Sequence, residues 1–171
     1  MRRLEYDQTM QAVILNYEKG MYLLKNYRRF QRERENRRLP PEDSLTVLRI
    51  LAYSMAEREA FTQRDQEIIR ECGPLLVTGV EQLLKRMKEM PEAAARTSYC
   101  VLFEKYVRPD IGQPTDCQLM ARLNSDGLSL TKEELARFEM MGVSMFSSMA
   151  FQSVEQSAWL CSEKMLENLN D

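Results

Sequence analysis

Fifteen consecutive residues, Met140 to Val154, carry no formal charge, and they stand behind a helix-start signal. Thr131-Lys132-Glu133-Glu134 has the form of a capping box. The Thr131 hydroxyl accepts from the Glu134 amide, and the Glu134 carboxylate reaches back to the Thr131 amide. No proline follows, so one helix is predicted from Thr131 to about Leu169. It has two apolar faces. Leu135, Phe138, Met141, Met145, Met149 and Trp159 form one; Met140, Val143, Ala150, Val154, Ala158, Cys161 and Met165 form the other. A helix apolar on more than one side must be covered by other helices, and both faces are expected in a core. The uncharged run is shorter than the roughly 20 apolar residues of a membrane span. It also contains Ser144, Ser147, Ser148, Gln152 and Ser153, so a buried helix is expected and no membrane partner.

The helices that supply the cover are legible upstream. From about Leu4 to Arg38, Met10, Ile14, Tyr17, Met21 and Leu24 recur at helical spacing, widened by Val13, Leu23 and Tyr27. Gly20 either weakens this first helix by roughly 1 kcal/mol relative to alanine or marks a close helix contact. Its apolar stripe ends at Phe30, and Pro40-Pro41 stop it. Pro41-Glu42-Asp43-Ser44 opens a second helix with a stripe of Leu45, Leu48, Leu51, Ala52 and Met55, flanked by Val47 and Ile50. Thr62 is the expected N-cap of a third, whose stripe runs from Ile68 and Ile69 to Met87. Gly73-Pro74 predicts a kink or short break within it. Pro91 is the expected first residue of a fourth helix, with Tyr99, Leu102, Phe103 and Tyr106 on its apolar face. A loop over residues 108–115 precedes a short fifth helix, about Asp116 to Leu123, ended by Asn124-Ser125-Asp126-Gly127. Leu128 is a candidate staple onto the last helix. No stretch alternates with period two, so no sheet is expected.

The expected fold is therefore an all-α, single-domain helical bundle over residues 1–171, with five or six helices and long first and last ones. The length suffices for a real core, and the 44% apolar and 29% charged content are those of a soluble globular chain. The N-terminal residues lack the apolar core of a secretory signal, which predicts a cytoplasmic protein. Four cysteines, Cys72, Cys100, Cys117 and Cys161, stand far apart with no C-x-x-C, and are read as reduced thiols. Cys117 is the best placed for thiolate character, near a helix N-terminus. No base stands near it in sequence.

The chain has no histidine. That removes Ser-His-Asp and Cys-His catalysis, zinc sites that need histidine, and His-ligated haem. No cofactor, metal or catalytic residue is therefore assigned. Glu18, Glu104 and Glu155 lie near apolar stripes, and Glu133, Glu134 and Glu139 line the start of the last helix. Those last three are read as capping and dipole partners rather than as acid–base groups.

The strongest functional candidate is the end of the first helix. Lys25, Arg28, Arg29, Arg32, Arg34, Arg37 and Arg38 stand against only Glu33 and Glu35, a segment of +5 in a chain of −2. Lys25, Arg28, Arg29 and Arg32 fall on one helical face, and Tyr22, Tyr27 and Phe30 lie beside them as candidate stacking partners. Glu33–Arg37 is the favourable i,i+4 ion pair and Arg29–Glu33 the poorer one. The planar guanidinium fork suits carboxylate and phosphate. Three readings fit: a solvated helix end, an acidic protein partner, or a nucleic-acid backbone. A sequence pI near 5.5 weighs against nucleic acid. A helix-turn-helix, with Gln63, Arg64 and Gln66 as reading residues, is opposed by Asp65 and Glu67. Twelve methionines allow an adaptable binding surface, core filler being the plainer reading. The expectation is a non-enzymatic regulator, adaptor or inhibitor. It binds an acidic protein surface through Lys25, Arg28, Arg29, Phe30, Arg32, Arg34, Arg37 and Arg38. A nucleic-acid-binding regulator using the same arginines is the alternative, and a homo-oligomer is compatible with either.

Overall fold

The computed structural model describes residues 2–39, 48–52, 60–108 and 112–151, with side chains from residue 10 onward. The elements are α1 (Arg2–Arg37), α2 (residues 48–52), α3 (Gln63–Glu89), α4 (Ala93–Leu102), α5 (Asp116–Ser125) and α6 (Lys132–Phe151). A π-helical turn, Phe103–Val107, continues α4. The fold is an all-α bundle with long first and last helices, and among the described residues there is no strand. The predicted start of the second helix at Pro41–Ser44 lies outside the described residues, as does the last helix beyond Phe151, with Trp159, Cys161 and Met165.

Local chemistry sets the helix ends. Thr131 N–H donates to Glu134 at 2.8 Å and the Glu134 amide donates to Thr131 Oγ1 at 3.2 Å, the reciprocal box expected for α6. Thr62 with Asp65 and Thr115 with Gln118 start α3 and α5 in the same way. Gly127, at φ +87°, supplies the left-handed turn after α5. Pro91 is not part of α4: Glu92 is the N-cap and the helix begins at Ala93. α1 ends before its prolines. Arg38 adopts φ +51°, and the Leu39 amide turns back to the Arg34 carbonyl at 3.4 Å.

The interior is built on close helix crossings. α1 packs against α3 and α6, and α6 also covers α4. At Gly20 a side chain would collide with Ser147 of α6, so of the two readings of this glycine the close contact holds. Gly142 of α6 lies against Leu102 and Ser98, where a Cβ would meet atoms at 3.0 and 3.2 Å. Gly73 holds the ring of Phe30 where its own side chain would stand. Of the kink or short break expected at Gly73-Pro74, the break is absent: α3 runs from Gln63 to Glu89 with Pro74 inside it. Both residues are buried, Gly73 against Phe30 of α1, and packing along the whole helix outweighs the roughly 3 kcal/mol local cost of proline.

One core cluster joins Leu23, Leu24, Tyr27 and Phe30 of α1 to Leu48, Leu51, the α3 stripe, and Val143, Phe146, Ala150 and Phe151 of α6. A second joins Val101, Leu119, Leu123 and Leu135, with Leu128 and Leu130 packed at its edge. Leu128 lies at the edge of the cluster that contains Leu135 of α6. The two apolar faces of α6 divide unequally. Val143, Phe146 and Ala150 are fully buried, Met145 and Met149 partly, and Met140 is 58% exposed. The predicted stripe of α1 also starts later than expected. Met10, Val13 and Ile14 are exposed, and the core begins at Tyr17.

Candidate functional site: the basic end of the first helix

α1 keeps a strict inward stripe through its arginine-rich end. Gly20, Leu23, Leu24, Tyr27 and Phe30 point into the bundle. Lys25, Arg29 and Arg32 therefore stand on the solvent side, followed by Arg37 and Arg38, and all five are exposed. Arg28 and Arg34, between the two faces, are half-buried. Arg34 donates to Thr78 Oγ1 on α3. Arg28 donates to the Lys105 carbonyl, in the π-helical turn, at 3.3 Å. A cation there meets the orphan carbonyls that end a helix.

Three aromatic neighbours, expected as stacking partners, are used internally. Phe30 is 1% and Tyr27 2% exposed, so neither offers surface to a partner. Phe30 is thus a core residue, seated on Gly73. Tyr27 donates to Glu81 of α3 at 2.5 Å. Burial first, then that carboxylate, push its phenol well above the usual tyrosine range. Tyr22 sets its ring edge-on to Phe61, 5.8 Å between centroids, and accepts from Arg70 at 3.3 Å.

The ion pairing of the segment also departs from expectation. Glu33 pairs with Arg29 at 2.9 Å, the orientation that isolated helices favour less. That preference amounts to a few tenths of a kcal/mol, and Glu33 also lies within electrostatic reach of Arg70 on α3. Among the described residues, Lys25, Arg32, Arg37 and Arg38 have no carboxylate partner.

The fold brings further polar groups to this end of α1. Glu139 of α6 accepts from Lys105 at 2.7 Å and from Tyr106 at 2.5 Å. Burial, then Glu139, push the Tyr106 phenol well above its usual range. Lys25, Lys105, Gln113, Thr115 and Glu139 line a groove of about 440 Å³. Arg122 of α5 lies close enough to Arg28 for its charge to help hold that guanidinium below its ordinary value, burial being the larger cause. Lys105, Arg122 and Glu139 were missed in the basic-site reading. They come from three elements, and no local spacing links them to α1.

Other sequence candidates have neighbours within the fold, while Glu155 and Cys161 lie outside the described residues. Glu104 is buried and paired with Arg108 at 2.8 Å. Arg64 pairs with Glu67 at 3.5 Å. Burial pushes the Cys72 and Cys100 thiols up, while Cys117 is exposed. Among the described residues no three His, Cys, Asp or Glu side chains cluster as metal ligands, and no helix is long and apolar enough to cross a membrane. The chain matches no family model, no curated protein and no solved structure.

Proposed function

We propose that this chain is a non-enzymatic interaction protein that docks on the acidic surface of a protein partner through Lys25, Arg29 and Arg32, extended by Arg37 and Arg38. One observation carries the reading. These cations are exposed, and among the described residues all but Arg29 lack a carboxylate partner, on a helix whose opposite face is pinned by Tyr27 and Phe30. A helix held by its core presents its charges without a large ordering cost on binding. Charges of this kind act mainly through steering and specificity.

The test is a triple charge reversal, Lys25→Glu, Arg29→Glu and Arg32→Glu, against a partner identified with the native chain. Association is expected to slow by about tenfold or more at low salt, and the gap to close as salt rises. Unchanged affinity and salt dependence in the reversed chain would sink the reading. Tight retention of RNA or DNA at low salt, with a steep salt slope, would replace the acidic protein by a phosphate backbone.

A further inference from the structure

One groove gathers side chains from four parts of the fold. Lys25 comes from α1, Lys105 and Tyr106 from the π-helical turn, Gln113 from the loop before α5, and Glu139 from α6; the groove holds about 440 Å³. That volume is within the range of a small-molecule site, so the lining groups face a single molecule. A π-helical turn is a rare local geometry that recurs at functional sites. Here two consecutive residues of the turn, Lys105 and Tyr106, converge on one oxygen of Glu139, at 2.7 and 2.5 Å.

The charges of the lining do not cancel. Lys105 offsets the Glu139 carboxylate, and their side chains are only 18% and 19% exposed. Lys25 has no carboxylate partner among the described residues. One positive charge is therefore left over. A monoanion neutralises it, whereas a phosphoryl group, at about −1.5 to −2, overshoots it beside Glu139. Donors are left over as well. An ammonium carries three, and among the described residues Glu139 engages one of those of Lys105. That carboxylate, and the Tyr106 ring 5.6 Å from the nitrogen, hold the Lys105 ammonium in place before a ligand arrives. Met21, Pro114 and the Tyr106 ring give the groove apolar wall. A ligand that fits has one carboxylate and an apolar body.

We propose that this groove binds a small organic monocarboxylate, with the carboxylate between Lys25 and Lys105 and the body against Met21 and Pro114. Lys25 is shared with the partner-docking face. Lys105 and Met21 belong to the groove alone, and Arg29 and Arg32 to the face alone, so the two readings fail separately.

The test titrates the full chain with hydrocinnamate, a phenyl ring on a short carboxylate chain, and follows the Met21 methyl resonance. The ring is expected to shift that resonance saturably, and the melting temperature to rise as ligand linkage requires. Hydrocinnamyl alcohol, the same body without the charge, binds more weakly by about tenfold or more. Lys25→Met weakens hydrocinnamate binding by about tenfold, Lys25→Arg by less, and Arg32→Met leaves it intact. Lys105→Met abolishes the shift; Lys25→Met, at an exposed residue, decides the matter should Lys105→Met lose its native circular dichroism. Three results overturn the site: no saturable shift, equal binding of the alcohol, or undiminished binding in Lys25→Met. A capped glutamyl peptide forms the second arm. If it binds more tightly than hydrocinnamate, the occupant is a protein side chain and not a free acid, and the proposal falls; weaker binding of the peptide supports it.

Discussion

Tyr106 shows how one side chain ties pH to stability here. The residue is 3% exposed and its hydroxyl donates to Glu139, while Lys105 donates to the same carboxylate oxygen. Burial and the neighbouring charge both favour the neutral phenol, so the folded state holds this proton above the usual tyrosine range. The unfolded chain releases it near pH 10. Above that pH the unfolded state gains from deprotonation and the folded state does not. Stability is thus fully present below about pH 10 and falls as pH rises beyond it. Tyr106→Phe should cost about 1 kcal/mol at neutral pH through the lost hydrogen bond. It should also unfold with a shallower pH dependence than the native chain between about pH 10 and pH 12. Urea denaturation at a series of pH values checks both; parallel pH profiles would refute the assignment.

At the level of elements, the ends follow from neighbouring residues and the crossings do not. Thr131 with Glu134 could be read as a cap because all its partners lie within four residues, and the structure has both bonds. The unbroken course of α3 through Pro74 was not legible. Nor was the contact at Gly73, whose space is filled by Phe30 from another helix. The end of α1 holds a local defect. Arg38 sits in the left-handed region at φ +51°, which costs a non-glycine residue roughly 1–2 kcal/mol. Arg38 is exposed and has no carboxylate partner among the described residues, so Arg38→Gly should stabilise the fold by about 0.5–1 kcal/mol. A rise in the midpoint of chemical denaturation, with an unchanged slope, is the expected readout.

For the whole molecule, the basic segment divides into a structural face and an available one. Phe30 lies in the main core among residues of α1, α3 and α6. Phe30→Ala should cost about 3–5 kcal/mol, because the void beside Gly73 has no side chain to fill it. Arg32→Ala, two residues away and exposed, should stay within about 0.5 kcal/mol of the native chain. Thermal melts of the two variants side by side test whether the arginine-rich end is built as described. Equal losses would mean that its inward and outward faces are misassigned.

The helical class, the caps at Thr62 and Thr131, the uncharged run that needs cover, and the concentration of positive charge between Lys25 and Arg38 are legible in the residues alone. All of these rest on composition or on interactions between residues a few positions apart. Only the packed molecule shows that Tyr27 and Phe30 have no surface left for a partner, that Met140 faces outward, that Glu33 turns to Arg29, and that Arg28 reaches the Lys105 carbonyl. Each depends on how a helix is rotated about its axis and on what crosses it. That is a balance of packing between distant segments, and helical spacing within one segment carries no record of it.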